Sequence, residues 1–260
     1  KLKFARFDPP APREMPTALV VGASRGIGLE LARQLQATGS TVYATCRTAT
    51  PELKDVGCDV IEGIDVSDRA LGAHLATSLK GVTLDLLIHN AGIMKNEALA
   101  ATGQEEHPPL SLTGPDAEAA FDSLEEQMRI NALGPVRVVA ALIPNLTAGS
   151  KVALISTRMA SIADNSGGGR YGYRMSKAAL NMAGVNLAHD LQKSPGALLS
   201  ILHPGFVETD LNRHLGAKAG VGPVITPQQS AQGILTRISE MTLENNASFR
   251  HAVTGEVLPW

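Results

Sequence analysis

The segment that decides the fold is Thr17-Ala-Leu-Val-Val-Gly22-Ala-Ser-Arg-Gly26-Ile-Gly28. A short apolar run ends in glycine, and the residues after it place Ile27, Leu31 and Leu35 at helical spacing. A buried strand therefore leads directly into a helix. Glycines at such a turn let the backbone approach a phosphate, whose charge meets the amide groups and positive dipole at the helix N-terminus. The segment predicts a dinucleotide site, and its plainer interpretation is a tight strand-to-helix turn.

The same alternation of strand and helix continues along the chain. Apolar runs that predict further strands lie at Thr41–Thr45, Cys58–Ile61, Leu84–His89, Val152–Ile155 and Ala197–Leu202. Helical spacing covers residues 71–79, 118–143 and 172–192. Because the strand runs are continuous rather than alternating, both faces of the sheet are expected to be buried. The sequence predicts an α/β fold with a parallel sheet covered by helices.

The composition excludes several classes of function. Lys and Arg number 23 and Asp and Glu 25, which gives a formal net charge of −2. This balance lacks the positive field of nucleic-acid binding proteins, and no apolar run approaches the ~18 residues of a membrane helix. Two cysteines, Cys46 and Cys58, form no CxxC pair and are interpreted as small buried residues. We expect a cytoplasmic protein that binds neither nucleic acid nor membranes.

The sequence divides into a short N-terminal segment and one predicted domain with two irregular loops. Residues 1–14 combine basic residues and prolines without the apolar core of a signal peptide, and are predicted to be a flexible arm or an expression remnant. Residues 15–260 contain no long Gly/Ser/Pro linker and are predicted to form one domain. The least regular stretches, 95–115 and 213–226, are expected to be functional or mobile loops.

The end of the second predicted strand indicates which dinucleotide is bound. It reads Thr45-Cys46-Arg47 and lacks the Asp or Glu that usually accepts the ribose hydroxyls of NAD, while Arg25 lies in the glycine turn. Guanidinium groups near the ribose favour a 2′-phosphate, which they bind bidentately. NADP(H) is therefore the predicted cofactor. The alternative is that both arginines are solvated surface residues.

Two further segments follow predicted strands at the same edge of the sheet. They are Asp65-Val66 and Asn90-Ala91-Gly92. In a doubly wound sheet, ligands lie beyond the carboxyl ends of the strands, so both segments are expected to border the cofactor cleft. Taken alone, each is an ordinary strand-end turn.

The strongest local pattern is Tyr173-Arg-Met-Ser-Lys177. The tyrosine and the lysine are four residues apart on a predicted helix and so share one face. A nearby ammonium favours the phenolate, and Lys177 is expected to lower the pKa of Tyr173 toward a useful range. Tyr171, which has Met175 in place of a lysine, is the weaker candidate. The seven histidines form no close ligand set, so no metal is predicted, and His89 and His203 are interpreted as residues bordering the cleft.

Four motifs together resemble the short-chain dehydrogenase/reductase family. They occur in its order and spacing, and are the glycine turn, Asn90-Ala91-Gly92, Tyr173-x-x-x-Lys177 and Pro204-Gly205-Phe-Val207-Glu-Thr209-Asp210. The resemblance covers about residues 17–260 and is nearest to the C-factor-like and sniffer-like carbonyl reductases. It implies a Rossmann-type, doubly wound parallel sheet with three α/β/α layers in a single domain.

The resemblance also implies a role for each motif. Tyr173 is the proton donor or acceptor, Lys177 holds the nicotinamide ribose, and Asn131 helps to hold a proton-relay water. The substrate-orienting serine is replaced by Thr157 in Ile155-Ser156-Thr157, with Ser156 and Ser161 as alternatives. Motifs and resemblance together assign cofactor binding to Gly22, Ser24, Arg25, Gly26, Ile27, Gly28, Arg47, Asp65, Val66, Asn90, Ala91, Gly92, Tyr173, Lys177, Pro204, Gly205, Val207 and Thr209.

The function expected from these residues is NADPH-dependent reduction of a small ketone, aldehyde or quinone. The alternative is an NADPH-binding regulatory module with vestigial chemistry, and a nucleotide-sugar epimerase is disfavoured because few residues remain after Thr209. By analogy with the family we expect a homodimer or homotetramer. The substrate pocket is expected to involve residues 94–115, 161–169 and 211–226.

Overall fold

Seven parallel strands form the central sheet of the structure, a computed structural model that describes residues 16–100, 109–211 and 223–260. The predicted arm over residues 1–14 lies outside the described residues, as do parts of both irregular loops. In chain order the sheet strands are β1 (Thr17–Val21), β2 (Thr41–Thr45), β3 (Asp59–Ile61), β4 (Leu84–His89), β7 (Leu146–Ile155), β8 (Leu198–His203) and β11 (Phe249–His251). Two short strand pairs outside the sheet are β5 (Glu97–Ala98) with β6 (Leu110–Ser111), and β9 (Phe206–Val207) with β10 (Val224–Ile225).

The order of the strands places the ligand site. Across the sheet they run β3-β2-β1-β4-β7-β8-β11, so the chain moves outward from β1 in one direction and from β4 in the other. The winding reverses between β1 and β4, where neighbouring connections leave the sheet on opposite faces and open a crevice at the carboxyl ends. The predicted doubly wound parallel sheet is confirmed.

Helices cover both faces of the sheet. They are α1 (Gly26–Ala37), α2 (Pro51–Lys54), α3 (Leu71–Ser78), α4 (Ala117–Met128), α5 (Gly134–Ala141), α6 (Tyr171–Lys193) and α7 (Pro227–Ser239). Leu31 of α1 and Ile234 of α7 belong to the buried cluster on one face, and Leu75 of α3, Val139 of α5 and Leu180 of α6 belong to the cluster on the other. Burial of these apolar side chains on two sides of one sheet gives the three-layer α/β/α architecture.

The structure corrects three details of the sequence interpretation. The helix predicted over 118–143 is interrupted, because a π-helical turn at Arg129–Leu133 separates α4 from α5. Strand β7 begins at Leu146, six residues before its predicted start at Val152. The edge strand β11 and helix α7 were not predicted, since three residues are too few for a periodic pattern and α7 has a mixed apolar face.

No helix in the described ranges is both long enough and apolar enough to cross a membrane. Both cysteines are free thiols, with Cys46 buried and Cys58 half-buried. Burial raises the pKa of each thiol, so both remain protonated at neutral pH. The sequence prediction of small buried residues is thus confirmed for Cys46, whereas Cys58 is only partly buried.

Candidate active site

A cleft of about 650 Å³ lies at the carboxyl ends of β1, β2 and β4, where the winding of the sheet reverses. Most of the predicted cofactor residues line it: Gly22, Ser24, Arg25, Gly26, Ile27, Arg47, Asp65, Val66, Asn90, Ala91, Gly92 and Thr209. Sequence reasoning missed other residues of the lining, including Thr45, Ile64, Ile93 and Glu208. They become neighbours only when parallel strands bring separate segments to one edge of the sheet.

The glycine turn leaves space beside its backbone that side chains larger than glycine would fill. Gly22 has a φ of +82°, and a Cβ atom at Gly28 would lie 2.1 Å from the Gly22 carbonyl oxygen. The Asn90 side-chain amide donates to that same oxygen at 2.9 Å, which ties the end of β4 to the turn. The first turn of α1 contains no acidic residue, so its positive end faces the cleft without a local anion. This geometry fits the pyrophosphate of a dinucleotide.

Two arginines flank the part of the cleft beside β2. Arg47 follows the end of β2, and its charge contributes to a lowered pKa of Asp65, although hydrogen bonds from Ser67 are the larger cause. The exposed Arg25 guanidinium forms an ion pair with Asp210 at 3.3 Å, across the mouth of the cleft. The predicted phosphate-binding cations thus lie at the cleft, and Arg25 has an acidic partner that the sequence did not indicate.

Tyr173 lies in the first turn of α6, almost fully buried, with its hydroxyl close to the Thr157 side chain. Burial raises the pKa of Tyr173 to about 12, and the nearby Thr157 side chain lowers it in part. The expectation that Lys177 lowers this pKa is therefore wrong for this structure. Loss of water around the phenol is the dominant effect, and it disfavours the charged phenolate.

Lys177 is also buried, one helical turn after Tyr173. Its ammonium donates to the Ile155 carbonyl oxygen at 2.8 Å, at the end of β7. Burial lowers the pKa of Lys177 to about 8, so the charged form still predominates at pH 7. A Cβ atom at Gly92 would lie 3.4 Å from this ammonium, which places the charge beside the cleft lining.

The structure distinguishes Thr157 from the two alternative serines. Ser156 donates to the Asn181 side-chain oxygen at 2.6 Å, and Ser161 donates to the Trp260 carbonyl oxygen at 3.2 Å. Alternate residues of an extended strand point to opposite faces, so Ser156 and Thr157 cannot both reach Tyr173. Thr157 is the hydroxyl that contacts Tyr173.

Asn131 lies in the middle of the π-helical turn and is fully buried. Its side chain accepts from the Ile93 amide and donates to the Ile93 carbonyl oxygen, both at 2.8 Å, and donates to Ser176 at 3.0 Å. Ser176 in turn donates to the Tyr173 carbonyl oxygen at 3.0 Å. The Asn131 side chain thus joins the segment after Asn90-Ala91-Gly92 to the helix of Tyr173, and π-helical turns often occur at functional sites.

The predicted Pro204–Thr209 segment is held at the other side of the cleft. The Pro204 carbonyl oxygen accepts from Ser230 at 2.8 Å, and Val207 of β9 pairs with Ile225 of β10. Gly205 has a φ of +93°, and a Cβ there would meet Ile225 at 2.7 Å. Pro204, Gly205 and Val207 do not line the cleft themselves; they position Thr209, which does.

Two histidines at strand ends are buried neutral groups. Burial lowers the pKa of His89 to about 3, with a smaller contribution from the Lys177 charge. Burial also lowers the pKa of His203 to about 3, together with His251 and Arg158. Neither histidine lines the cleft, so the prediction that His89 and His203 border it is wrong. In the described parts of the chain, no group of three or more metal-ligating side chains could hold a metal ion.

Comparison with known proteins gives a consistent result. A family model described as short chain dehydrogenase matches residues 16–220. The 1-hydroxy-2-glutathionyl-2-methyl-3-butene dehydrogenase of Rhodococcus sp. strain AD45 is 38% identical over 248 residues, covering 95% of this chain and all of that protein. C-signal of Myxococcus xanthus is 34% identical over 187 residues, covering 71% of this chain and 98% of that protein. A Pseudomonas aeruginosa PAO1 carbonyl reductase, crystallised in complex with NADP, is 28% identical, has a TM-score of 0.73, and covers 95% of this chain and 100% of that one.

The two buried histidines, His89 and His203, are expected to make the free energy of unfolding depend on pH. The pKa of each histidine is lower in the folded protein than in the unfolded chain, so the folded protein binds fewer protons at acidic pH. The free energy of unfolding therefore has its full value above about pH 6.5 and decreases as the pH falls toward 3. We expect the free energy of unfolding in urea to fall between pH 7 and pH 4. Each histidine contributes up to about 1.4 kcal/mol per pH unit.

The variant His89→Asn is expected to reduce this slope. The exposed His189→Asn variant serves as the matched control and is expected to keep the wild-type slope. Equal slopes for wild type and His89→Asn would contradict the assignment of acid sensitivity to His89.

Proposed function

Because this chain belongs to the short-chain dehydrogenase family, we propose that it reduces a small carbonyl compound to an alcohol, with Tyr173 as the proton donor. It is an NADP(H)-dependent oxidoreductase, in agreement with the NADP found in a similar solved structure. The observation that carries the proposal is the buried Tyr173–Thr157 hydroxyl pair, on the helix whose Lys177 ammonium is held by the Ile155 carbonyl oxygen.

The residues of the pair can perform complementary tasks. The bound cofactor supplies the hydride. The high pKa of Tyr173 keeps its proton in place at neutral pH, ready for the oxygen of a carbonyl group that is being reduced. The Thr157 hydroxyl donates a second hydrogen bond to the same oxygen, and burial of both groups excludes water that would weaken these bonds.

Lys177 supports this chemistry through its charge. Its buried ammonium lies beside Gly92 of the cleft lining, where it would donate a hydrogen bond to the nicotinamide ribose of a bound cofactor. The bond to the Ile155 carbonyl oxygen fixes where the ammonium lies. Lys177 therefore contributes by holding the cofactor, whereas burial determines the pKa of Tyr173.

Arg47 and Arg25 support the preference for NADP(H) over NAD(H). Both line the cleft near the ends of β1 and β2, where the adenosine ribose of a dinucleotide lies in doubly wound folds. A guanidinium group binds a 2′-phosphate through charge-assisted hydrogen bonds. Arg25 exchanges its exposed ion pair with Asp210 for such a bond at low cost, since exposed pairs contribute little stability.

A second candidate function is oxidation of an alcohol that carries a glutathionyl group. It is favoured by the Rhodococcus relative, whose name gives such a substrate. In this chain Arg170 directly precedes α6 and lies three residues before Tyr173, and its Nε atom is buried without a hydrogen-bond partner among the described residues. A guanidinium group at this position suits a carboxylate of a glutathione conjugate.

The protein is also proposed to form homo-oligomers through α4 and α6. Large apolar side chains are exposed on these two helices, with Phe121 at 50%, Met175 at 49% and Met182 at 64%. Apolar groups clustered in this way indicate a surface that is covered in solution. A cytoplasmic location remains a prediction from the cysteine usage.

Activity is expected in a panel of quinones, diketones and aldehydes, measured as NADPH oxidation, and in the reverse direction with glutathionyl alcohols and NADP⁺. Tyr173→Phe is expected to lower kcat by roughly 10²- to 10⁴-fold, because the proton donor is lost. Tyr171→Phe, two residues away, is the matched control and is expected to keep wild-type activity. Thr157→Ser is expected to be active and Thr157→Val strongly impaired.

Each result of that panel has a defined meaning. Full activity of Thr157→Val would move the orienting role to another hydroxyl. Turnover confined to glutathionyl alcohols would select the second candidate function. NADPH binding without turnover of any compound in either direction would contradict both and favour the regulatory alternative.

Arg47→Asp is expected to weaken NADPH binding by roughly 10- to 100-fold, measured by fluorescence titration, since a charge-assisted hydrogen bond contributes about 1.5–3 kcal/mol. NADH binding is expected to change much less, because NADH lacks the 2′-phosphate. Arg69→Asp, an exposed site outside this cleft, is the control. Equal losses for both nucleotides would show that Arg47 does not bind the 2′-phosphate.

Met182→Asp is expected to shift the protein toward the monomer in sedimentation equilibrium, because it buries a charge in the proposed subunit contact. Leu243→Asp changes a residue that is 67% exposed and lies outside α4 and α6, so it is expected to leave the assembly unchanged. A wild-type monomer at micromolar concentration would refute the proposed assembly.

A further inference from the structure

Helix α6, which contains Tyr173, has no N-terminal capping group of its own. Its N-cap residue Arg170 has a φ of +48°, its side chain makes no capping bond, and no acidic residue lies in the first turn. A helix start buried in this way needs partners for its free amide groups. They are supplied from elsewhere in the chain.

Glu97 of β5 provides both partners. Its main-chain carbonyl oxygen accepts from the Arg170 amide at 2.7 Å, and its carboxylate oxygen Oε2 accepts from the Gly172 amide at 3.2 Å. Glu97 is fully buried. A carboxylate at a helix N-terminus is stabilised by the free amide groups and by the helix dipole. Glu97 therefore holds the start of α6 at two amide positions, Arg170 and Gly172.

The other oxygen of this carboxylate is held by α4. Oε1 accepts from the Ser123 hydroxyl at 2.5 Å and from the Gln127 side-chain amide at 2.6 Å. The Gln127 side-chain oxygen accepts in turn from the Lys95 amide at 3.0 Å. The Glu97 carboxylate thus joins α4, β5 and α6 through donors only, which is the arrangement that an ionised buried carboxylate requires.

Helices α4 and α6 pack so closely at Gly172 that no side chain would fit between them. A Cβ atom at Gly172 would lie 2.3 Å from the Gln127 side-chain nitrogen and 3.2 Å from Leu124 Cα. Gly172 directly precedes Tyr173, whose hydroxyl must meet that of Thr157. A displacement of about 1 Å at a reacting group can cost roughly 100-fold in rate.

We propose that Glu97 is a positioning residue for the reaction: its buried carboxylate, held by Ser123 and Gln127, fixes the Gly172 amide and thereby the hydroxyl of Tyr173. The inference rests on the proposed function for its effect on rate. The position of Tyr173 itself is measured separately.

The hydrogen-bond network can be tested by exchanging the carboxylate and the amide between positions 97 and 127. In Glu97→Gln one acceptor oxygen becomes an NH₂ group, which opposes the donors of Gln127 or Gly172. The double variant Glu97→Gln/Gln127→Glu restores complementarity between the two side chains, because the carboxylate introduced on α4 accepts from both the Lys95 amide and the new side-chain amide on β5. It loses only the 3.3 Å bond that the Gln127 amide donates to the Ser123 carbonyl oxygen. The oxygen of that new side-chain amide is then free to accept from Gly172.

Glu97→Gln is expected to lower kcat by roughly 10- to 100-fold while the KM for NADPH changes less than about threefold. The double variant is expected to recover most of the wild-type kcat. Asn145→Ala is the matched control: it removes one buried hydrogen bond, to Leu79, and one partly buried hydrogen bond, to Val82, away from the cleft. It is expected to lower the melting temperature without changing kcat.

The position of the Tyr173 side chain is measured by NMR, which does not depend on enzymatic activity. The chain has three tyrosines, so ¹⁹F NMR with fluorotyrosine gives three resonances, and Tyr173→Phe identifies that of Tyr173. We expect this resonance to shift or broaden in Glu97→Gln, to return in the double variant and to be unchanged in Asn145→Ala. If the wild type turns over no substrate, the proposed function fails and the NMR result still decides the positioning role.

Three outcomes would overturn the proposal. They are an unchanged Tyr173 resonance in folded Glu97→Gln, a folded double variant that recovers neither resonance nor kcat, and a loss of kcat in Asn145→Ala as large as in Glu97→Gln. If Glu97→Gln does not fold, the double variant decides. If neither folds, Ser123→Ala, which loses one bond to Glu97, must shift the Tyr173 resonance for the proposal to stand.

Discussion

Gly28 lies so close to the end of β1 that a Cβ atom at this position would come within 2.1 Å of the Gly22 carbonyl oxygen. This approach lets α1 start immediately beside the strand, with its amide groups directed at the crevice. The same carbonyl oxygen accepts from Asn90 at the end of β4, so the two strands flanking the reversal of the sheet meet at one atom. The rest of the site is arranged around the cleft that this contact opens.

Burial then determines the chemistry of the charged and polar groups. Tyr173, Lys177 and His89 have each lost most of their water, and each is displaced toward its neutral form, with the pKa of Tyr173 raised and those of Lys177 and His89 lowered. The consequences differ because the ordinary pKa values differ. The phenol keeps its proton, the ammonium stays mostly charged at pH 7, and the imidazole is neutral.

The polar contacts around α6 explain how a long helix positions one hydroxyl. Asn131 binds Ile93 and Ser176, and Gln127, one turn earlier, binds the Lys95 amide and Glu97. Gln127 and Asn131, four residues apart, thus bind Lys95 and Ile93 in the segment that follows Gly92. Through Glu97 and Ser176 this segment is connected to the backbone on either side of Tyr173.

The sequence by itself determined the parallel α/β fold, the glycine turn, the helix of Tyr173 and Lys177, and NADP(H) as the cofactor. These features depend on local periodicity or on residues a few positions apart, which a linear pattern contains. Only the tertiary structure decided that Tyr173 has a raised pKa, that Thr157 rather than Ser156 meets it, and that Glu97 caps its helix. Desolvation and hydrogen bonds between residues such as Glu97 and Gly172, 75 positions apart, depend on packing that no local pattern records.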